Sequence, residues 1–197
     1  SDLYHRGRLP FEECLDIGLA LATALDHLHR HGLVHRDIKP SNIVFVNGIP
    51  KLADIGLVAR AEATLSLVGT EGYLPPEGPG TAQADIYSLG KVLYEMATGR
   101  DRQEFPELPT NLIAQPAAER AQLAELNEII LRACHTDLKQ RYQTAAELHA
   151  DLALLQSGKS VSRMRTVERR MRTLARAGTV VAAIAVIAGL AFFYQQF

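Results

Sequence analysis

Eight consecutive residues, His35-Arg36-Asp37-Ile38-Lys39-Pro40-Ser41-Asn42, bring a carboxylate, an ammonium and a carboxamide within six positions of one another. That combination suits a reaction in which a proton is accepted, a moving phosphoryl group is neutralised and a magnesium ion is held. Asp37 supplies the acceptor, Lys39 the positive charge and Asn42 an amide oxygen. A second carboxylate is needed to complete a hard-cation site, because Mg2+ prefers oxygen ligands in near-octahedral array.

The stretch that follows shows where the second carboxylate comes from. Ile43-Val44-Phe45-Val46 and Ile49 to Ala53 flank Asn47-Gly48, a pair that favours a tight type I′ turn. With that turn, paired positions sum to 95, so Asn42 lies opposite Ala53 and next to Asp54. The hairpin therefore carries Asn42 and Asp54 to the same end. Pro50 lacks a backbone donor and restricts the hairpin to an edge position.

The octapeptide matches H-R-D-x-x-x-x-N, and the chain resembles a protein kinase. Its Lys-Pro-Ser-Asn ending resembles the serine/threonine branch, and the whole chain resembles bacterial receptor-like kinases. Asp54-Ile55-Gly56 resembles the D-F-G tripeptide, with Ile55 in place of Phe. Gly69-Thr70-Glu71-Gly72-Tyr73 and Pro75-Pro76-Glu77 resemble the end of an activation segment, with Pro75 where the family has Ala. The segment from Asp54 to Glu77 spans 24 residues.

The resemblance implies roles. Asp37 orients the substrate hydroxyl and accepts its proton, and Lys39 offsets charge on the transferring phosphoryl. Asn42 and Asp54 hold Mg2+, and Val44 belongs to the apolar floor for the adenine of ATP. His35 packs beneath the loop. Thr70 hydrogen-bonds near Asp37 and Lys39. Glu77 pairs with Arg141, and Asp85 braces the backbone of the catalytic loop. Arg36 beside the catalytic Asp resembles kinases switched by phosphorylation, with Thr64 and Ser66 as candidate sites. The alternative is a pseudokinase scaffold that binds partners without catalysis, although scaffolding does not require Asp37, Lys39, Asn42 and Asp54 together.

The elements around these residues are mainly helical. Residues 11–31 read as a helix, with Leu15, Leu19, Ala22, Leu25 and Leu28 at three- and four-residue steps between Pro10 and Gly32. Residues 82–98 read as a buried helix closed by Gly99. Glu119 to His135 is amphipathic, and Thr144-Ala145-Ala146-Glu147 is a capping box opening a helix to about Gln156. Residues 54–81 read as a long functional loop and residues 100–118 as irregular. The expected fold is a kinase-like C-terminal lobe with a small β-hairpin at the catalytic loop, over residues 1–156, followed by one transmembrane helix. A Gly-rich loop, a strand lysine and a helix glutamate that would grip ATP are not found, so the N-terminal β-rich lobe is absent from this sequence. It reads as a fragment that alone binds ATP poorly.

Charge is distributed unevenly over the 197 residues. From Lys159 to Arg176 seven lysines and arginines face one acid, a net of +6, whereas residues 1–158 carry 14 bases against 21 acids, a net of −7. Residues 157–176 thus form a basic juxtamembrane linker. Residues 177–197 carry no formal charge, and the apolar run from Ala177 closes on Phe192, Phe193 and Tyr194, as at a membrane interface. The eighteen residues from Ala177 to Tyr194, almost all apolar or small, would span about 27 Å as a helix, close to the hydrocarbon thickness of a bilayer. The arginine excess predicts a cytoplasmic kinase body at the cell membrane, on a single-pass anchor. Protein substrates and the lipid bilayer are the expected partners, Ala185 and Gly189 could support a homodimer, and no nucleic acid is expected. Cys14 and Cys134 make neither a disulfide framework nor a zinc site and read as reduced core residues.

Overall fold

A computed structural model describes residues 7–54, 59–60, 69–110 and 115–161. The chain divides into two units, Ser1–Lys159 and Ser160–Phe197. Every element described below belongs to the first. Among the described residues no helix is long and apolar enough to cross a membrane. The expected span over residues 177–197 and the basic linker from residue 162 onward lie outside the described residues, as do Thr64 and Ser66.

Helix α1 (Phe11–Arg30) starts directly after Pro10, whose extended backbone sets the entry without a side-chain cap. Glu12 and Glu13 in its first turn, and His27, His29 and Arg30 in its last, complement the helix dipole. Its buried residues are Cys14, Leu15, Ile17, Gly18, Leu21, Ala22 and Leu25, which include Leu15, Ala22 and Leu25 of the expected stripe. Leu19 and Leu28, expected on that face, are only half-buried. The buried face also takes in Gly18, which lets two helices approach. A Cβ there would lie 3.0 Å from Leu93 Cδ2 and 3.2 Å from Leu152 Cδ1.

Helix α2 (Ala82–Thr98) is the central element and packs against α1, α3 (Ala117–Ala133) and α4 (Ala145–Gln156). Thr81 caps it by accepting from the Ala84 N–H at 3.0 Å, and Gly99 ends it in the left-handed conformation at φ +70°. Because α2 is buried nearly all round, its polar residues must be satisfied inside the protein. Ser88 Oγ donates to the Tyr73 carbonyl at 2.9 Å. Lys91 Nζ donates to the Arg102 carbonyl at 2.7 Å and sits 4.5 Å from the Phe105 ring centroid. Gly90 brings α3 close, since a Cβ there would be 2.6 Å from Cys134 Sγ.

Helix α3 begins and ends two residues before the expected bounds, because Pro116 opens it and Cys134 closes it. In α4, Thr144 accepts from the Glu147 N–H, but the Glu147 carboxylate reaches the Gln143 N–H rather than that of Thr144. The region 100–118 is less irregular than expected. Asp101 and Glu104 form a reciprocal capping box around a single 3-10 turn, Arg102–Glu104.

Among the described residues, two small antiparallel sheets accompany the helices. Strands β2 (Ile43–Val46) and β3 (Ile49–Leu52) pair in the expected register, from Ile43 opposite Leu52 to Val46 opposite Ile49. Asn47 and Gly48 both take positive φ, 52° and 78°, as the I′ turn requires. Strands β1 (Leu33–Val34) and β4 (Ala59–Arg60) form a pair that the sequence did not announce. Two-residue strands are too short to show alternation, and β4 interrupts what had read as continuous loop.

Candidate active site

The loop between β1 and β2 is shaped by a residue distant in sequence. Asp85, on the first turn of α2 and 1% exposed, accepts the backbone N–H of His35 at 2.8 Å through Oδ2 and that of Arg36 at 2.8 Å through Oδ1. His29 Nε2 adds a third bond to Oδ2 at 2.9 Å. A buried carboxylate is tolerated when its lone pairs are met in this way. The bonds hold Arg36 at φ +74°, a conformation that non-glycine residues rarely adopt. After that turn the chain presents Asp37.

Asp37 is held on both oxygens. Thr70 Oγ1 donates to Oδ1 at 2.8 Å. Lys39 Nζ lies 2.7 Å from Oδ2, and Asn42 Nδ2 donates to the same oxygen at 3.0 Å and to the Asp37 carbonyl at 2.8 Å. Lys39 Nζ also donates to Thr70 Oγ1 at 2.8 Å, which closes a triangle of Asp37, Lys39 and Thr70. Burial is the largest influence on the Asp37 carboxyl and pushes its pKa up. The hydrogen bonds from Lys39, Thr70 and Asn42, with the Lys39 charge, outweigh it, and the pKa falls below the ordinary aspartate range. Asp37 is therefore an anchored carboxylate, suited to orienting a hydroxyl more than to strong basicity.

Pro40–Asn42 forms one 3-10 turn that leads into β2. The Ala53 N–H donates to the Asn42 carbonyl at 2.8 Å, which extends the hairpin ladder to the residue before Asp54. On the other side of Ala53, its carbonyl accepts from His35 Nε2 at 3.2 Å. His35 is wholly buried, so it packs beneath the loop and also ties the start of the loop to the end of the hairpin. Asp54 takes φ +58° and is exposed.

The donor set fits a magnesium ion. Asn42 commits Nδ2 inside the loop, so the group it has to offer is the amide oxygen, and Asp54 adds an exposed carboxylate at the adjoining end of the hairpin. Among the described residues no cluster of three or more His, Cys, Asp or Glu gathers for a metal. A hard cation on Asn42 and Asp54 would draw its other ligands from phosphates and water. Val44 lies on β2 and is 39% exposed, beside exposed Phe45, Val46 and Ile49. A cavity of about 390 Å³ lies elsewhere, between the start of α1 and α3, lined by Leu9, Phe11, Cys14, Leu123 and Leu126, and includes none of these residues.

The segment after Thr70 is fixed to the helices. The Tyr73 hydroxyl donates to Glu95 Oε2 at 2.5 Å, and the Arg102 guanidinium stacks 4.7 Å from the Tyr73 ring centroid. Gly72 makes room for this, because a Cβ there would lie 2.7 Å from Arg102 Nε. Glu77 receives a forked pair of bonds from Arg141, which is fully buried and also donates to the His135 and Gln83 carbonyls. Sequence reading did not find His29 as a donor to Asp85, nor the Tyr73–Glu95–Arg102 latch. For His29 the only signal was a polar side chain one position off the apolar stripe of α1.

A helical body whose buried aspartate shapes an Asp–Lys–Asn loop, with a hairpin returning a second aspartate beside it and a Glu–Arg pair fixing the segment beyond, is the architecture of a protein kinase domain. The chain belongs to that family, since the family model for the protein kinase domain matches residues 2–153. It is 34% identical over 179 residues to a probable serine/threonine-protein kinase of Clostridium perfringens, covering 80% of this chain and 26% of that protein. It is 35% identical over 179 residues to the serine/threonine-protein kinase PknB of Mycobacterium leprae, covering 80% of this chain and 28% of that protein. A probable serine/threonine-protein kinase of Clostridium acetobutylicum is 36% identical over 165 residues, with 75% of this chain and 25% of that protein covered. The chain thus spans about a quarter of the length of these relatives.

Proposed function

We propose that this chain carries the C-terminal, catalytic-loop lobe of a membrane-anchored protein kinase that transfers the γ-phosphoryl of ATP to serine and threonine hydroxyls of proteins. The observation that carries the reading is the anchoring of Asp37 by Lys39, Thr70 and Asn42 at 2.7 to 3.0 Å. Asp37 accepts the proton of the substrate hydroxyl as that oxygen bonds to the γ-phosphorus and the bond from that phosphorus to the β–γ bridging oxygen breaks, releasing ADP. Lys39 carries positive charge to where the transferring group passes. Thr70, which touches both, fixes their separation. Asn42 and Asp54 hold Mg2+, whose role when bound is to neutralise phosphate charge and align it for in-line transfer. Val44 contributes to the floor beneath adenine.

The Gly-rich loop and strand lysine that grip ATP phosphates in this family are not among the 197 residues. We assign them to polypeptide outside this sequence, which agrees with its quarter share of its relatives' length. The uncharged run over residues 177–197 and the arginines before it support a single span with the kinase body on the cytoplasmic face. Ala185 and Gly189 would bring two spans together as a homodimer.

The test is autophosphorylation of the full-length protein with ATP and Mg2+. Asp37→Asn is expected to abolish it while leaving ATP binding intact. Full activity in that variant would overturn the role of Asp37. The 197-residue chain alone is expected to bind ATP weakly, and tight binding would overturn the assignment of the gripping residues to another segment.

A further inference from the structure

The end of α1 and the turn after it carry three histidines, and two of them take no part in bracing the loop. His29 turns inward to Asp85. His27 and His31 are both exposed and lie four positions apart, where helical side chains are neighbours. Their ring centroids are 4.5 Å apart, with the rings inclined at 47°. His31 Nδ1 lies 2.7 Å from the His27 carbonyl oxygen. A carbonyl only accepts, so Nδ1 carries the proton and the lone pair of the neutral ring is on Nε2. Metal-ligating histidines are oriented in the same way, with the other ring N–H donated to a carbonyl or carboxylate.

We propose that His27 and His31 form a two-imidazole chelate for a borderline divalent ion of the Zn2+, Ni2+ and Cu2+ class. His31 provides Nε2 and His27 one ring nitrogen. Imidazole nitrogen suits these ions and discriminates against Mg2+, which the oxygen donors of Asn42 and Asp54 suit. Rings this close can share one ion, since zinc–nitrogen bonds are about 2.0–2.1 Å long. The neighbouring Asp26 is paired with Arg30 at 2.7 Å, so water fills the remaining coordination positions and the site stays open. An ion held there pins the last turn of α1, just where the chain swings through Gly32 at φ +70° into β1 and the loop starting at His35.

The experiment is calorimetric titration of Zn2+ into the full 197-residue chain, stripped with a chelator and kept in excess Mg2+. One ion is expected per chain. His27→Gln and His31→Gln should each weaken binding by at least about tenfold, the scale on which even outer-shell partners of a metal act. His149→Gln, on α4, should leave the affinity unchanged. Superimposable metal-free thermal melts would show that the variants fold. X-ray absorption at the zinc edge should show two imidazoles with oxygen ligands. Zn2+ affinity that survives both substitutions, or a wild-type chain that takes up no Zn2+, would overturn the proposal.

Discussion

Asp85 and Arg36 are 49 positions apart in sequence, yet the Asp85 carboxylate sits 2.8 Å from the Arg36 N–H and holds that residue at φ +74°. The active loop therefore takes its shape from the central helix. Asp85→Asn keeps the volume but replaces an acceptor with a donor, facing two buried N–H groups and His29. Leaving such donors unmet costs about 1–3 kcal/mol each, so a drop of about 3 kcal/mol is expected in urea unfolding. In the full-length protein, kcat should fall more than KM rises, because the loop is misplaced and not removed.

Asp37 gives the site a defined acid response. Its carboxyl titrates below the ordinary aspartate value, which is about 3.9 in unfolded chains. A depressed folded-state pKa contributes stability that is fully present above the unfolded value and is lost as pH falls through the folded one. Wild type should therefore lose stability on acidification below about pH 4 more steeply than Asp37→Asn. Urea midpoints compared at neutral and acid pH measure this, and parallel curves would contradict it.

Glu77 compensates a charge that water cannot reach. Arg141 is 0% exposed, so Glu77→Ala strands a buried guanidinium. Breaking one side of a buried pair costs about 3–5 kcal/mol, and thermal unfolding of the chain should show a loss near the lower figure because Glu77 is 26% exposed. Glu77→Gln, which preserves an acceptor, should cost less.

Both thiols should be inert in the folded state. Burial pushes Cys14 and Cys134 up to about 12, and the thiolate is the reactive form. A disulfide reagent at pH 8 should label neither until denaturant is added, after which both react. Rapid labelling of the native chain would show that one of them is more accessible than its packing implies.

How far sequence carried the fold depended on whether the governing partner was local. Asn47-Gly48, Gly99 and Thr144 are signals read within a few residues of the feature they set, and the hairpin register and two helix ends agree with them. The loop geometry is non-local. Motif spacing picks out Asp37, Lys39 and Asn42, but nothing near Arg36 indicates a positive φ, because its cause is on α2. The β1–β4 pair and the Tyr73–Glu95–Arg102 latch were missed for the same reason. On α1 the apolar periodicity picks out Leu15, Ala22 and Leu25, which are buried, but does not register Gly18, where the close approach of Leu93 and Leu152 widens the buried face.

The hairpin register has an evolutionary consequence. Asn42 and Asp54 are separated by a ladder of fixed rung count, so the spacing of two candidate metal ligands is set by how many residues lie between them. Val46 and Ile49, at the turn end of the ladder, are exposed. An insertion or deletion in either strand would slip the pleat by one and turn Asp54 to the opposite side, although no catalytic residue had changed. Selection on this stretch should thus act on length before composition, and families diverging from this chain should tolerate substitutions between Asn42 and Asp54 far better than indels.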